Sequence, residues 1–498
     1  MAVVLRPRPV NRAGPLLVVA ASFGTAFATS PARAADVRTV SRTVGEGYMM
    51  RVPGPEGHLL SRRRLVQYVN LGVFRILPPK RAGEIFRDPR DGQLQIVTSL
   101  RLRHDFGTFQ RDATGDAARL IQNLDGRQID ILFGYLEGRN LGGWVDLRVG
   151  RQLEMSGLDF YAFDGGWIRA RTPAHLAVEV FGGFQVNGNH AFGFPTFELD
   201  GTQGLPHDDA TTPMVGAAFS MTDVSWMDAR FAYRRTWTPS SLNRDLMDVD
   251  GSMGLQGTVN QELVSANIAL RLAQGRLSPF AAARYNIGTD RVDDLSAGAS
   301  WAITELHTLR AFYLRTIPMF DLDSIFNVFA TEPFEDVRVV YEVRPGERWT
   351  LYGRFQGRIF RSGTTGVLEL DPDAEVSFGG GGGAGAAYRR RRFAMRLDGF
   401  GLGGEGGLRA GGSVDTRTHV WYDRIALDGR AYYTYFRDDL VADRRGYSLA
   451  LQVGTNIRLA HGVYFNVVGE ELFTTFYRHA FRALGVLSVD WAFRMGQR

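Results

Sequence analysis

From Gln93 to the carboxyl end, apolar residues recur at every second position, and this period constrains the chain more than any other feature. Successive side chains of an extended strand point to opposite faces, so a period of two builds a strand with one apolar and one polar side. Leu94, Ile96, Leu100, Leu102 and Phe106 share one parity, against Gln95, Ser99, Arg101, Arg103 and Asp105 on the other. Val337, Val339, Tyr341 and Val343 repeat the pattern against Asp336, Arg338, Glu342 and Arg344, as do Trp349, Leu351, Phe355 and Ile359 against Thr350, Arg354, Gln356 and Arg358. It returns near the end with Tyr447, Leu449, Leu451, Val453 and Ile457 against Ser448, Gln452, Asn456 and Arg458. A soluble sandwich alternates too, but it hides its apolar faces under a second layer. Here nearly every segment has one face of each kind, and only a cylinder whose outer face meets lipid needs no such cover.

About twenty segments of roughly 8 to 14 residues suit strands that cross a bilayer at about 45°. Two of them, Trp167–Thr172 and Ala384–Tyr388, carry the pattern weakly. The fold expected is therefore all-β: a closed antiparallel up-and-down transmembrane barrel of about 18 strands, within roughly 16 to 20. Tight turns at Gln274-Gly275, Pro345-Gly346-Glu347 and Ala460-His461-Gly462 alternate with long polar connections at Gly107–Gly126, Asn187–Thr212, Thr238–Asn260, Pro318–Phe334 and Ser362–Phe378. In such barrels the short turns are periplasmic and the long loops extracellular.

The amino end directs export. Arg6, Arg8 and Arg12 precede an apolar run from Leu16 to Ala28, and Ala32-Arg33-Ala34 is an A-x-A cleavage site, so residues 1–34 read as a cleaved signal peptide. No later stretch is long enough for a spanning helix, and mean hydropathy is −0.15. The implied destination is the outer membrane of a Gram-negative type of cell. Removing the four arginines of the signal lowers the formal net charge from +5 to +1, which gives no support to nucleic-acid binding. With no cysteine, neither a lipid-anchoring thiol nor a disulfide framework is available. Residues 35–92 fit neither helix nor strand period well and are expected to form a periplasmic or lumenal lead-in, with an extra strand as the alternative, and the barrel spanning 93–498.

A basic side chain facing lipid at mid-bilayer costs about 2–4 kcal/mol, so the arginines of the polar parity belong in the lumen. The expected pore lining is Arg101, Arg103, Arg148, Arg230, Arg338, Arg354, Arg358, Arg396 and Arg458, with Asp146 and Glu342. Asp130, Glu179, Asp228 and Asp398 share that face, so part of the charge is expected to pair across the wall. Trp144, Trp237, Trp349, Trp421, Trp491 and Phe493 fall near strand ends, as membrane-interface aromatics do. Trp167 and Trp226 are placed near strand ends by the same reading.

Chemistry-bearing motifs are weak. Gly298-Ala299-Ser300-Trp301-Ala302 and Gly446-Tyr447-Ser448-Leu449-Ala450 lack the Gly-x-Ser-x-Gly pattern and the strand-to-helix context of a nucleophile elbow. His207-Asp208-Asp209 is the best acid/base cluster, but it lies in a long loop. Asp245, Asp248 and Asp250, or Asp371, Asp373 and Glu375, are oxygen-rich without calcium-loop spacing. The glycine runs Gly379–Gly383 and Gly401–Gly407 read as loop and strand-end residues. No enzyme activity, cofactor or metal is expected.

Leu147-Arg148-Val149-Gly150-Arg151-Gln152, followed by Phe163-Asp164-Gly165 and by Arg169 and Arg171, resembles a strand pair of porin-like barrels, nearest the alginate-export and polysaccharide-secretion type. The resemblance implies an 18-stranded barrel with a basic lumen that passes an anionic or neutral glycan. The function expected is thus an outer-membrane channel for hydrophilic solute, first as a polysaccharide conduit. The alternatives are a general or anion-preferring diffusion porin, and a plugged barrel used for anchorage. Outer-membrane lipid is the expected partner, with periplasmic polysaccharide-export components beside it.

Overall fold

The computed structural model describes residues 35–51, 59–77, 92–110, 119–156, 159–186, 212–221, 224–237, 259–288, 290–316, 334–362, 375–404, 407–421, 424–437, 445–475 and 479–495. These form twenty-two strands of one antiparallel sheet. In chain order they are β1 (Ala35–Arg51), β2 (Leu59–Phe74), β3 (Gln93–Gln110), β4 (Arg119–Leu141), β5 (Val145–Ser156), β6 (Asp159–Arg171), β7 (Leu176–Gln185) and β8 (Thr212–Met221). β9 (Met227–Trp237), β10 (Val259–Leu270), β11 (Leu277–Asn286), β12 (Arg291–Ala302), β13 (His307–Thr316), β14 (Phe334–Val343) and β15 (Trp349–Ser362) follow. The wall ends with β16 (Glu375–Arg390), β17 (Phe393–Gly404), β18 (Leu408–Val420), β19 (Ile425–Arg437), β20 (Arg445–Ala460), β21 (Val463–Thr474) and β22 (His479–Met495). Each strand pairs with the next, and β1 pairs with β22 from Ala35↔Met495 to Arg51↔His479, which closes the cylinder.

The closed antiparallel barrel is the architecture expected, but with 22 strands in place of about 18. Two of the four extra strands are the weakly patterned segments: Trp167–Thr172 falls at the end of β6 and Ala384–Tyr388 within β16. The other two are β1 and β2: residues 35–74, expected as a lead-in, are barrel wall. Their alternation is blurred because the outward parity of β1 carries Thr39, Ser41, Thr43, Gly45 and Gly47 in place of apolar residues. Gln67 of β2 absorbs these hydroxyls, donating to Ser41 Oγ at 2.7 Å and accepting from Thr43. The signal segment lies outside the described residues.

Which face is interior follows from a contact. Arg230 in β9 reaches Glu154 in β5 at 3.7 Å. Four strand spacings separate these strands, about 19 Å along the wall, so the pair can meet only across the concave side. On the opposite parity Val337, Tyr341, Leu351, Phe355, Val414, Leu451 and Val453 are exposed. The apolar face is therefore the outer one.

The two ends of the cylinder differ. At one, nine of ten connections are six residues or shorter (for example 142–144, 344–348, 391–392 and 461–462), and the exception is 75–92. The other carries 186–211, 238–258, 317–333 and 363–374. These four match expected long loops, whose interiors lie outside the described residues. Gly107–Gly126, also expected as a loop, is largely strand, since β3 runs to Gln110 and β4 starts at Arg119. Six of the eight tryptophans, Trp144, Trp226, Trp301, Trp349, Trp421 and Trp491, stand exposed at the short-turn end, with Phe493 beside them. Trp237 ends β9 at the other rim. Trp167 is not at a strand end: it is buried inside the barrel, mid-way along β6. A closed barrel with an outward apolar belt and an aromatic rim satisfies every backbone group within a bilayer, and the protein is an outer-membrane protein.

Candidate functional site: the lumen wall

All eleven residues expected to line the pore fall on the inward parity, but the structure divides them between two unlike walls. From β4 to β12 the inward face is largely buried: Asp130, Glu137, Asp146, Gln152, Glu179, Ser220, Arg234, Ser265, Asp293 and Asp294 are all below a tenth exposed. From β15 to β22, no residue other than glycine is buried among those described. The second wall is therefore the one open to water in the lumen.

On the closed wall the arginines are consumed by carboxylates. Arg148 donates to Glu137 at 3.2 Å and stands 3.8 Å from Glu154, with its guanidinium 5.1 Å from the ring centres of both Tyr135 and Trp167. Arg230 pairs with Glu179 at 2.9 Å, and Ser220 donates to the same carboxylate at 2.9 Å. Asp146 holds Arg171, and Arg101 holds Asp130 at 2.7 Å. Beside these pairs Tyr161, Phe163, Trp167, Phe181 and Met214 make an apolar cluster, with Tyr161 and Phe181 stacked at 5.6 Å. A desolvated guanidinium ringed by carboxylates and aromatic faces is held in place rather than offered to solute. The Leu147–Gln152 and Phe163–Gly165 segments form part of this wall: Arg148 faces inward and is held there, whereas Arg151, on the parity of the exposed Val149, pairs with Asp164 at 2.6 Å on the outer face. Arg103 is half-buried on the neighbouring strand β3.

β14 forms the boundary. Asp336 is fully buried and accepts from Arg338 at 2.6 Å, Arg358 at 2.9 Å and Gln356 at 2.5 Å. Glu342 pairs with Arg344 at 2.6 Å and Arg310 at 3.5 Å. Here the sequence reading was incomplete: Arg338 and Arg358, both partly exposed, hold one buried acid, Asp336, which it placed on the polar face but not in the pore lining.

The open wall begins with a glycine device. The inward face of β16 is Gly379, Gly381, Gly383 and Gly385, so these glycines are strand-interior residues, contrary to their reading as loop and strand-end positions. With no side chains on β16, Tyr352 and Arg354 of β15 lie across it to meet Asp398 on β17, Arg354 at 2.5 Å. A Cβ at Gly383 would sit 2.8 Å from Arg354 Nε, and one at Gly385 would collide with the Tyr352 ring. Arg396 donates to the Tyr352 hydroxyl at 3.0 Å.

Beyond Asp398 the arginines are solvated. Arg417 pairs with Asp428 at 2.6 Å and Arg430 with Asp415, yet these arginine side chains are 57% and 60% exposed, against 18% for Arg148 and 11% for Arg230. Arg458 is exposed near the short-turn rim, with His461 at 3.5 Å. Sequence reading missed Arg389, Arg391, Arg417 and Arg430. The signals available were the run Arg389–Arg392 and the alternation of Asp415, Arg417 and His419.

The oxygen-rich loops and His207-Asp208-Asp209 lie outside the described residues, except that Glu375 begins β16. Among the described residues no cluster of three His, Cys, Asp or Glu side chains has a metal-holding arrangement. Ser300 and Ser448, the central serines of the two elbow-like stretches, sit within β12 and β20.

No protein-family model and no curated protein matches the chain. Among solved structures it is similar to OccAB2 of Acinetobacter baumannii, at 8% identity and a TM-score of 0.44 over 92% of this chain and 98% of that one. It is similar as well to a BenF-like porin of Pseudomonas fluorescens, at 8% identity and a TM-score of 0.42 over 92% and 99%. OpdK of Pseudomonas aeruginosa, solved with vanillate, is 9% identical with a TM-score of 0.40 over 92% and 99%.

Proposed function

We propose that this protein is a passive outer-membrane channel that favours small anionic, hydrophilic solutes. The observation that carries the reading is the unequal lumen: a buried, charge-balanced wall from β4 to β12 faces a solvated, arginine-bearing wall from β15 to β22. Fixed guanidinium charge along an aqueous path raises the local concentration of anions and lowers that of cations. In a planar bilayer under a tenfold KCl gradient, the purified protein is expected to conduct with chloride favoured over potassium by about twofold or more. No conductance, or a preference for potassium, would sink the reading.

The polysaccharide conduit has less in its favour. It rested on a likeness to 18-stranded barrels, whereas this cylinder has 22 strands; of the arginines in the shared motif, Arg148 is held in the closed wall and Arg151 pairs with Asp164 on the outer face. A plug made of residues 35–92 is likewise disfavoured, because β1 and β2 belong to the wall.

In this reading the short-turn end, with its ring of tryptophans, faces the periplasm. Single cysteines report without background, since the chain has none of its own. On intact cells an impermeant maleimide is expected to label Thr202→Cys and to spare Gly346→Cys. The reverse pattern would invert the orientation.

A further inference from the structure

The open wall ends, near the short turns, in a cavity of about 740 Å³ between the inward faces of β16 and β21. Its lining carries six arginines and two aspartates, a formal +4. Both aspartates are taken, Asp428 by Arg417 and Asp415 by Arg430. Arg396 is held by a tyrosine hydroxyl, and among the described residues Arg389, Arg391 and Arg396 have no carboxylate within ion-pair distance. The cavity thus has four guanidinium groups, those of Arg389, Arg390, Arg391 and Arg396, that make no ion pair among the described residues.

Their spacing selects the ligand. Arg396 faces Asp415, which faces Arg430; Arg389 faces Ala394, which faces Arg417. Each pair of arginines is two strands apart, about 10 Å at the backbone. A guanidinium fork matches the two oxygens of one carboxylate or phosphate, so a monovalent anion engages one arginine at a time. In this solvated setting a single contact of that kind is weak. A solute with two or more oxyanion groups engages several at once, and the second contact then forms intramolecularly.

We propose that this cavity is a saturable binding site for small multivalent oxyanions. The inference deepens the anion-channel reading, on which it rests for the route by which solute arrives. The acids Asp415 and Asp428 serve as positioning residues that hold Arg430 and Arg417 at the cavity wall.

The test titrates the full-length protein in detergent micelles with pyrophosphate, citrate and acetate by calorimetry. Pyrophosphate is expected to bind saturably and acetate to show no saturation over the same range. Replacing Arg389, Arg391 and Arg396 together by glutamine is expected to raise the half-saturating pyrophosphate concentration at least tenfold. Arg139→Gln on β4, which removes a partner of Glu137 at 2.9 Å, is expected to leave it unchanged. Saturation by citrate as well supports a site for polyanions in general, and saturation by pyrophosphate alone supports a phosphate site. Absence of saturable pyrophosphate binding, or an unchanged half-saturation in the triple variant, overturns the proposal. Chloride current in bilayers separates the two readings: current without pyrophosphate binding defeats the site alone, and binding without current defeats the channel alone.

Discussion

Deleting β1 alone, Ala35–Arg51 behind an intact signal, is expected to damage the barrel more than deleting the whole hairpin Ala35–Phe74. Removing one strand leaves 21 and sets β2 against β22. These two run in the same direction, because each pairs antiparallel with β1. The seam can then no longer close with the antiparallel ladder used everywhere else, and unpaired backbone groups in lipid cost several kcal/mol each. Removing both strands leaves 20 and brings β22 beside β3, which runs opposite to it and offers an antiparallel edge. Folded protein is read from the shifted mobility of unheated barrel on a denaturing gel. The one-strand deletion is expected to yield about a tenth or less of the folded material of the two-strand deletion, a tenfold difference corresponding to about 1.4 kcal/mol. Equal, full folding of both would return residues 35–74 to the status of a dispensable lead-in.

A second large effect is expected at Asp336, a fully buried carboxylate that accepts from Arg338, Arg358 and Gln356. Asp336→Ala leaves two guanidiniums facing each other with no counter-charge. Because these are 48% and 34% exposed, water takes up part of the loss, and the expected cost is about 2 kcal/mol. Arg358→Glu is expected to cost more, about 3–5 kcal/mol, since it sets a second carboxylate against one that has no access to water. Urea midpoints in micelles measure both. An Arg358→Glu variant as stable as wild type would show that the Asp336 cluster contributes nothing to the barrel. It follows that selectivity is better probed at Arg389, Arg391 or Arg396 than at Arg354 and Arg358, whose charges also hold the wall together.

The strands and their two faces were legible in the sequence because side-chain alternation is a property of one strand at a time. Leu351 and Phe355 point outward, and Arg354 and Arg358 inward, in agreement with parity alone. Turn chemistry is equally local, and Pro345-Gly346 and His461-Gly462 are the turns they read as. Strand number was not legible, because it is settled where β1 meets β22, residues more than four hundred positions apart, and because Thr39, Ser41 and Thr43 hide the parity of β1. Nor was the division of the arginines. Arg148 and Arg417 stand in equally alternating segments, yet one is enclosed by Glu137, Glu154 and two aromatic rings while the other is open to the lumen. That difference depends on what lies across two to four strands of curved wall, as between Arg230 and Glu154 or Arg354 and Asp398. On the strands with clear alternation, sequence by itself determined which side chains face inward; closure of the cylinder decided which of them meet one another and which stay open to the lumen.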